Sequence, residues 1–374
     1  MKAGARMHEF VSETAKASAG SSTRPLISIC IPTYNFGAFI GDTLDSLEKQ
    51  DLSDVEIIVL DSASTDNTQE VVGSFARRLP NLHYIRTDQK LGIDRDMARV
   101  AAEAHGQFIW LFSADDVMRP DALGLVKSHL KDEYDILLCS HTNCDKEMNF
   151  LSNHPVIRAE PGEVFDLSDS AGRRDYFARA ATTEAFVSFM SGVIFKSDTW
   201  RAVPLNERFV GSCWAHVARF FEIMKMQGVI VFFIGGPLLN KRGENDSFLQ
   251  DSVVDRWRLG IEGFQSISRE FFGPTSDEYK NVTRVLRAEF PVQSFLALRL
   301  DLIREKKVQE IAKLDKLFTR LYRSQGSKGG LHVATYRFLT MVPFSFLSLL
   351  KRVVQITGLK IVIRKIFEFQ LRAR

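Results

Sequence analysis

Residues 27–36 read ISICIPTYNF, an apolar run that ends at a proline and passes into a polar turn. A short run of β-branched and apolar residues bounded in this way predicts a strand that is buried on both faces. Residues 55–61 (VEIIVLD) and 108–113 (FIWLFS) repeat the pattern. The sequence therefore predicts buried strands at 27–31, 55–60 and 108–112, each followed by polar side chains.

Segments with helical spacing separate these strands. Ile40, Leu44 and Leu47 lie at i, i+4 and i+7, on one face of a helix. The same reasoning predicts helices over 71–79, over 97–104 with Gly106 as the C-terminal stop, and over 120–130 with Pro120 in the first turn. With further strands at 82–85 and 136–139, strand and helix alternate about five times. This pattern predicts an α/β fold, a parallel sheet with helices on both faces.

Beyond residue 145 the alternation is looser. Strands are predicted at 193–195 and 229–234, and helices over 256–271 and 296–322. The sequence QGSKGG at 325–330 is typical of a linker. Residues 1–24, rich in Ser, Ala and Lys, are predicted to be a flexible tail.

The charge of the chain is unevenly distributed. After residue 300 there are sixteen Lys and Arg but five Asp and Glu, whereas the whole chain carries only +3, so the first 300 residues are net acidic. A basic tail on an acidic body predicts a polyanionic partner, and a solvated helical face is the alternative. Nucleic acid is disfavoured because the tail lacks a recognised module. Four cysteines without CxxC or His-Cys spacing favour a reduced, cytoplasmic protein.

Polar residues follow the first predicted strand, where α/β sheets bind ligands beyond the carboxyl ends of their strands. Pro32, Thr33, Tyr34 and Asn35 form this turn. The GxGxxG sequence of dinucleotide-binding folds is absent here, so that class is disfavoured. The aromatic ring and the amide suit a nucleobase, and a plain turn is the alternative.

Charged residues follow the second and third strands. Asp61 closes the second strand, where a carboxylate can accept hydrogen bonds from a base or a ribose hydroxyl. Arg95 follows the third strand and can pair with two oxygens of a phosphate, as guanidinium groups commonly do. A surface ion pair with Asp94 or Asp96 is the alternative for Arg95.

Two adjacent carboxylates, Asp115 and Asp116, follow the fourth strand. They repel each other and lose hydration beside the apolar run, and a divalent cation would offset both costs. Hard oxygen ligands suit Mg²⁺ or Mn²⁺ bridging a diphosphate. We therefore predict a metal site at Asp115 and Asp116; capping of the following helix is the alternative.

Together these motifs resemble glycosyltransferase family 2. PTYN at 32–35, LDSASTDNT at 60–68 and SADD at 113–116 stand in that family's order and approximate spacing. The resemblance is closer to the abequosyltransferases of bacterial O-antigen synthesis. There it extends to KLGIDRD at 90–96, FVGSCWAH at 209–216 and KRGENDSF at 241–248.

The resemblance implies a GT-A fold, a Rossmann-like sheet that binds a nucleotide-diphospho-sugar, with a helical C-terminal extension. It implies that Thr33 and Asp61 hold the nucleoside. Arg95 and Arg242 would lie near the diphosphate, and the carboxylates of SADD would hold ribose and metal. The implied donor-binding residues are Pro32, Thr33, Tyr34, Asn35, Asp61, Arg95, Asp115 and Arg242.

The sequence departs from the family at two places. Ser113 replaces the first acid of the DxD-type motif, and residues 212–216 (SCWAH) carry no acid where inverting members have their catalytic base. His216 lies near that position, and a neutral imidazole can accept a hydroxyl proton near pH 7. We predict His216 and Asp116 as catalytic residues and Trp214 as an acceptor contact. A packed helical histidine is the alternative for His216, in which case His141 or Glu184 takes the role.

These inferences give an expected organisation and function. We expect a flexible tail at 1–24, a donor-binding half at 25–145, an acceptor-binding half at 146–250, a helical extension at 251–330 and a membrane-associating tail at 331–374. The expected reaction moves a sugar, with deoxyhexoses as candidates, from a nucleotide sugar to a lipid-linked glycan at the inner face of the cell membrane. The alternatives are a nucleotidyltransferase, a non-catalytic nucleotide- or glycan-binding subunit and, for the tail, packing on the catalytic domain instead of docking on anionic lipid.

Overall fold

The computed structural model describes residues 24–245, 252–323, 333–334 and 336. The predicted tail at 1–24, apart from Arg24, and the predicted linker at 325–330 lie outside these residues. So does the predicted membrane-associating tail, apart from Val333, Ala334 and Tyr336. Two compact units, Met1–Leu286 and Arg287–Arg374, divide the chain.

Ten strands form one sheet in the first unit. They are β1 (Ile27–Thr33), β2 (Val55–Asp61), β3 (Leu82–Arg86), β4 (Phe108–Leu111), β5 (Val117–Met118), β6 (Ile136–Cys144), β7 (Phe150–His154), β8 (Glu163–Asp166), β9 (Val193–Lys196) and β10 (Ile230–Lys241). The spatial order is β3-β2-β1-β4-β9-β6-β10-β5, with β7 beside β6 and β8 beside β10. All seven strands predicted from the sequence are present.

Eleven helices are described. They are α1 (Ile40–Glu48), α2 (Thr68–Ala76), α3 (Ile93–Ala102), α4 (Ala122–His129), α5 (Ser170–Arg179), α6 (Ser197–Arg201), α7 (Ala215–Gln227), α8 (Val253–Phe272), α9 (Asp277–Glu289), α10 (Val292–Arg304) and α11 (Val308–Arg323). The helix predicted over 296–322 is in fact the pair α10 and α11. Pro120 lies before α4 rather than in its first turn, because Asp121 is the N-cap, with a left-handed φ of 60°.

The sheet is mixed rather than wholly parallel. β1 pairs in parallel with both β2 and β4, and β6 pairs in parallel with β10. Between these two groups β9 lies antiparallel to both β4 and β6. The prediction of a parallel sheet therefore holds within each group and is wrong for β9, and β5, β7 and β8 also pair antiparallel with their neighbours. β9 follows both β4 and β6 in the chain but lies between them in the sheet.

The core follows from the apolar runs that predicted the strands. All seven residues of β1 and all seven of β2 are buried. Gly106 does not stop α3, which ends four residues earlier at Ala102. A Cβ at Gly106 would instead lie 2.6 Å from the backbone nitrogen of Ser28. The residue is needed for close backbone contact with β1, where its N–H donates to Ser28 Oγ.

The second unit contains α10 and α11. Phe295 packs edge-on against Phe318, and Phe318 stacks on Tyr336 with ring centroids 3.8 Å apart. The Tyr336 hydroxyl donates to Asp315 Oδ1 at 2.7 Å. Residue 336 of the predicted membrane-associating tail is thus buried against α11. Over the part of the chain that is described, no helix is both long and apolar enough to span a bilayer.

Candidate active site

The carboxyl ends of β1 and β2 meet at the edge of the sheet where the ligand residues were predicted. Thr33 and Asp61 are partners in the β1–β2 register. The two following loops are joined through Asn35, whose N–H donates to Ser64 Oγ and whose Oδ1 accepts from Thr65 N at 2.7 Å. Asn35 adopts φ 56°, a left-handed conformation that asparagine tolerates better than most residues. Asn35 therefore shapes this turn, which was the alternative considered from the sequence, and its contact with a nucleobase remains a prediction.

Asp61 is fully buried at the end of β2. Its Oδ1 accepts from Ser64 N at 2.8 Å, and its Oδ2 accepts from the Tyr84 hydroxyl at 2.6 Å and lies 3.6 Å from Arg86 Nε. Burial, and then the bond to Asp61, raise the pKa of Tyr84. The carboxylate is thus held rigidly by neighbouring strands. A donor contact for Asp61 remains a prediction.

Thr33, the last residue of β1, carries a hydroxyl group that no described side chain or backbone group satisfies. Thr33 is buried, and its Oγ1 has no hydrogen-bond partner within residues 24–245 and 252–323. Buried polar groups are rarely left unsatisfied without a functional reason. Pro32 is buried beside Thr33, whereas Tyr34 is partly exposed with Lys90 Nζ 3.9 Å from its ring centroid. The geometry is compatible with the predicted donor contacts at these three residues.

Asp115 and Asp116 occupy different environments. Asp115 is partly exposed and accepts from Ser113 Oγ and, at 2.5 Å, from Asn245 Nδ2. Asp116 is buried; its Oδ2 accepts from Ser191 Oγ at 2.6 Å and its Oδ1 from Arg242 N at 3.2 Å. Burial and the charge of Asp115 raise the pKa of Asp116 well above its usual range. Burial and the neighbouring carboxylate thus both disfavour the ionised form of Asp116.

The chemistry of this pair fits a hard divalent cation. Each carboxylate oxygen has more than one lone pair, so the bonds from Ser113, Asn245 and Ser191 leave acceptor capacity. In both residues each carboxylate oxygen accepts from one protein donor, but Asp115 is partly exposed whereas Asp116 is buried, so Asp115 is the more accessible ligand. A cation here would lower the cost of ionising Asp116.

Arg242 connects the end of β10 to the Asp115–Asp116 turn. Its Nε donates to the Asp115 carbonyl at 3.1 Å, its Nη1 donates to the Lys146 carbonyl, and its Nη2 pairs with Asp42 Oδ2 at 2.7 Å. The guanidinium is buried and every nitrogen has a protein partner. In this arrangement Arg242 positions the Asp115–Asp116 turn. To contact a diphosphate, as predicted, its guanidinium would have to give up one of these three hydrogen-bond partners.

The segment 90–96 is bound to the loop before α7. Asp94 is buried, and its carboxylate accepts from the backbone N–H groups of Gly211, Cys213 and Ala215 at 2.8–3.0 Å. Arg95 makes neither of the ion pairs considered from the sequence. It pairs with both oxygens of Glu207 at 2.9 and 2.6 Å. Both partners are exposed, and a phosphate would compete with Glu207 for the guanidinium.

His216 and Trp214 lie at the start of α7, which Asp94 caps. His216 is buried; its Nε2 lies 3.4 Å from the Ser188 carbonyl, and its Nδ1 has no hydrogen bond within the described ranges. Burial lowers the pKa of His216, which favours the neutral imidazole. The Trp214 indole N–H donates to the Leu259 carbonyl at 3.0 Å, and its ring packs on Phe264. Both predicted roles remain predictions.

A second group of polar side chains lies at the carboxyl end of β6. His141, His154 and Glu184 approach one another, and Lys241 Nζ lies 3.3 Å from Glu184 Oε1. Sequence reasoning named His141 and Glu184 only as alternatives to His216, and it missed His154 and Lys241. His154 joins this group because the register of β6 and β7 places it opposite His141.

Comparisons with known proteins agree with this architecture. Residues 28–200 match the model of Glycosyl transferase family 2. The chain is 27% identical to the abequosyltransferase RfbV of Salmonella typhimurium over 271 residues, 71% of this chain and 81% of the relative. It is 24% identical over 193 residues to the GalNAc(5)-diNAcBac-PP-undecaprenol beta-1,3-glucosyltransferase of Campylobacter jejuni, 50% of this chain and 57% of the relative.

The fold also matches solved structures. The crystal structure of S. aureus TarS 1-349 in complex with UDP superposes with a TM-score of 0.52 at 18% identity, covering 82% of this chain and 83% of that one. The same protein in complex with UDP-GlcNAc gives a TM-score of 0.53 at 17% identity, with the same coverage. The predicted GT-A fold is confirmed. Residues 28–200 of this chain are therefore a glycosyltransferase family 2 domain.

Proposed function

We propose that this protein transfers a sugar from a nucleotide-sugar donor to a lipid-linked glycan during synthesis of a bacterial surface polysaccharide. The observation that carries the proposal is the arrangement of the strand ends. Thr33 and Asp61 are register partners, and β4, the other neighbour of β1, leads into Asp115 and Asp116. The residues proposed to contact the nucleoside and to hold the metal therefore follow neighbouring parallel strands.

The donor is the better supported substrate. The unpartnered Thr33 hydroxyl supports a nucleoside contact beside the rigid carboxylate of Asp61. S. aureus TarS, whose fold is similar, has been solved with UDP and with UDP-GlcNAc. A thermal-shift screen of nucleotide sugars tests this part, because a bound donor raises the melting temperature by mass action. Donors that fail to stabilise the protein at millimolar concentration, with and without Mn²⁺, would argue against the site.

Asp115 and Asp116 would hold Mg²⁺ or Mn²⁺. The ion supplies Lewis-acid stabilisation of the charge that develops on the leaving diphosphate. Asp115 offers the accessible carboxylate, Ser191 and Arg242 orient Asp116, and Asn245 orients Asp115. The experiment is activity in excess EDTA followed by readdition of Mn²⁺. Full turnover in EDTA would reject the metal.

The proton of the acceptor hydroxyl requires a base. His216 is the candidate from the sequence, and its unpartnered Nδ1 and lowered pKa support a neutral imidazole that can accept a proton. Trp214 beside it would contact the acceptor sugar. If His216→Ala keeps near-normal kcat while Glu184→Gln loses it, the base is Glu184.

The lipid-linked acceptor and the membrane location are proposed from the relatives and from the charge of the chain. The Salmonella and Campylobacter relatives are named for an abequose transfer and for a glucosyl transfer onto an undecaprenol-linked glycan. The basic excess after residue 300 supports docking on anionic lipid, where each Lys or Arg near the surface gains about 1 kcal/mol.

Co-sedimentation with anionic liposomes at low and high salt tests the docking. Because Tyr336 is packed against Phe318, a truncation after residue 330 would remove part of the second unit. Truncation after residue 340 is the better variant. Docking predicts that the full chain sediments at low salt and that the truncated chain does not. Retention of the full chain in the supernatant would favour packing of the tail on the protein.

A further inference from the structure

We propose that His141, His154 and Glu184 bind a first-row transition metal ion, Zn²⁺ foremost, at a site separate from Asp115 and Asp116. The three side chains come from β6, β7 and the 3₁₀ turn Thr183–Phe186. Their ligand atoms all lie within 4.8 Å of one another. Two imidazoles and one carboxylate are a ligand set typical of zinc and of other first-row metals.

The distances match a coordination shell. His141 Nδ1 and His154 Nε2 lie 3.2 and 3.4 Å from Glu184 Oε2. In a tetrahedral shell with metal–ligand bonds of about 2.0 Å, neighbouring ligand atoms are about 3.3 Å apart. The two distances from the histidine nitrogens to Glu184 Oε2 therefore match those between neighbouring ligand atoms of a tetrahedral site. The fourth position is free for water or another ligand.

The three proposed ligand atoms are His141 Nδ1, His154 Nε2 and Glu184 Oε2. All three are buried, and none has a hydrogen-bond partner within the described ranges. The contacts of 3.2 and 3.4 Å to Glu184 Oε2 do not count as hydrogen bonds. Three neighbouring, unsatisfied buried atoms carry a desolvation cost that a bound ion would relieve.

Burial also disfavours the charged form of both histidines and lowers the pKa of His141 and of His154. The nearby cation Lys241 also lowers both pKa values, and its Nζ contacts the other oxygen of the carboxylate, Oε1. Oε2 is thereby left for the ion.

Asn143 provides a sharp test of the site. Its Oδ1 lies 3.1 Å from His141 Nε2, and its Nδ2 lies 3.2 Å from His154 Nδ1. A bound ion needs lone pairs on His141 Nδ1 and His154 Nε2, so both outer nitrogens must carry protons. The carboxamide has one acceptor oxygen and therefore supports only one of the two required tautomers. A carboxylate in its place would accept from both outer N–H groups.

The experiment measures zinc binding by the full-length protein. After treatment with a chelator, the protein is titrated with Zn²⁺ in competition with a chromophoric chelator, and bound metal is counted by mass spectrometry after dialysis. We expect one zinc per chain. Glu184→Gln and His154→Ala should each weaken binding by at least about tenfold, and Asn143→Asp should strengthen it.

Two controls separate this site from its surroundings. His83→Ala removes an exposed histidine on β3 and should leave zinc binding unchanged. Asp115→Asn alters the site proposed for Mg²⁺ or Mn²⁺ and should also leave the zinc stoichiometry unchanged. Far-UV circular dichroism checks that each variant is folded, and Asn143→Asp remains informative if a ligand variant is not. Absence of bound zinc in the wild type, or equal affinity in wild type, Glu184→Gln and His154→Ala, would overturn the proposal.

Discussion

Replacement of Asp94 by alanine is the most informative perturbation of the fold around the site. The carboxylate accepts three backbone hydrogen bonds, from Gly211, Cys213 and Ala215. The last of these belongs to the first turn of α7, so Asp94 acts as a cap supplied from a distant part of the chain. Alanine would leave all three N–H groups without this acceptor.

The expected loss follows from which of these groups water can reach. Gly211 is exposed and Cys213 partly exposed, so water can replace the carboxylate there, whereas Ala215 is buried. Each hydrogen bond to a charged group contributes about 1.5–3 kcal/mol, and a buried orphan donor costs about 1–3 kcal/mol. We therefore expect Asp94→Ala to lower the free energy of unfolding by about 2–4 kcal/mol. Asp94→Asn, which keeps one acceptor oxygen, should cost about half as much.

Asp169 is the matched control. Its carboxylate accepts from Ala171 N and Gly172 N at the start of α5, but Asp169 and Ala171 are exposed and Gly172 is partly exposed. Asp169→Ala should cost about 1 kcal/mol, the usual loss for an N-cap. The assay is chemical denaturation followed by far-UV circular dichroism. If Asp94→Ala costs no more than Asp169→Ala, Asp94 does not hold the loop before α7.

The other predictions concern the strand ends. Asp115→Asn or Asp116→Asn should lower kcat at least about 10²-fold, the scale of one key electrostatic contact; a fully active variant would contradict this. Asp61→Ala should raise the donor KM more than it lowers kcat, because its predicted contact is with the nucleoside; the opposite split in steady-state kinetics would place it at the reacting sugar. Gly106→Ala should destabilise the protein by about 1–3 kcal/mol, because its Cβ meets the β1 backbone. Gly124→Ala in α4 meets nothing within 4 Å and should stabilise it by about 0.5–1 kcal/mol; equal melting temperatures for the two glycine variants would refute this packing argument.

The strands were predictable because burial on both faces leaves a local signature, a continuous apolar run. The position of β9 was not, because strand direction depends on contacts between residues far apart in sequence, such as Ile194 with both Trp110 and Leu137. Helix α7 was missed for a related reason. Residues 215–221 are buried on all sides, so no polar face marks the helical period.

Candidate site residues that directly follow a strand could be named from the sequence. The side-chain contacts between residues of different elements could not. Asp61, Asp115 and Asp116 could be named because the ends of parallel strands share one edge of a sheet. Sequence spacing gives no sign that Arg95 pairs with Glu207, more than a hundred residues away. Nor does it indicate that Arg242 is held by Asp42.

The central claim, sugar transfer from a nucleotide donor, is tested most directly by the products. The full-length protein is incubated with the nucleotide sugar that stabilises it most and with a lipid-linked glycan fraction, and both products are followed by mass spectrometry. Transfer predicts free nucleoside diphosphate in equal amount to glycan that has gained the mass of one sugar residue, and formation of both at least about 10²-fold more slowly with Asp115→Asn. Release of pyrophosphate would identify a nucleotidyltransferase, and donor binding without either product would identify a non-catalytic subunit; both results would contradict the account.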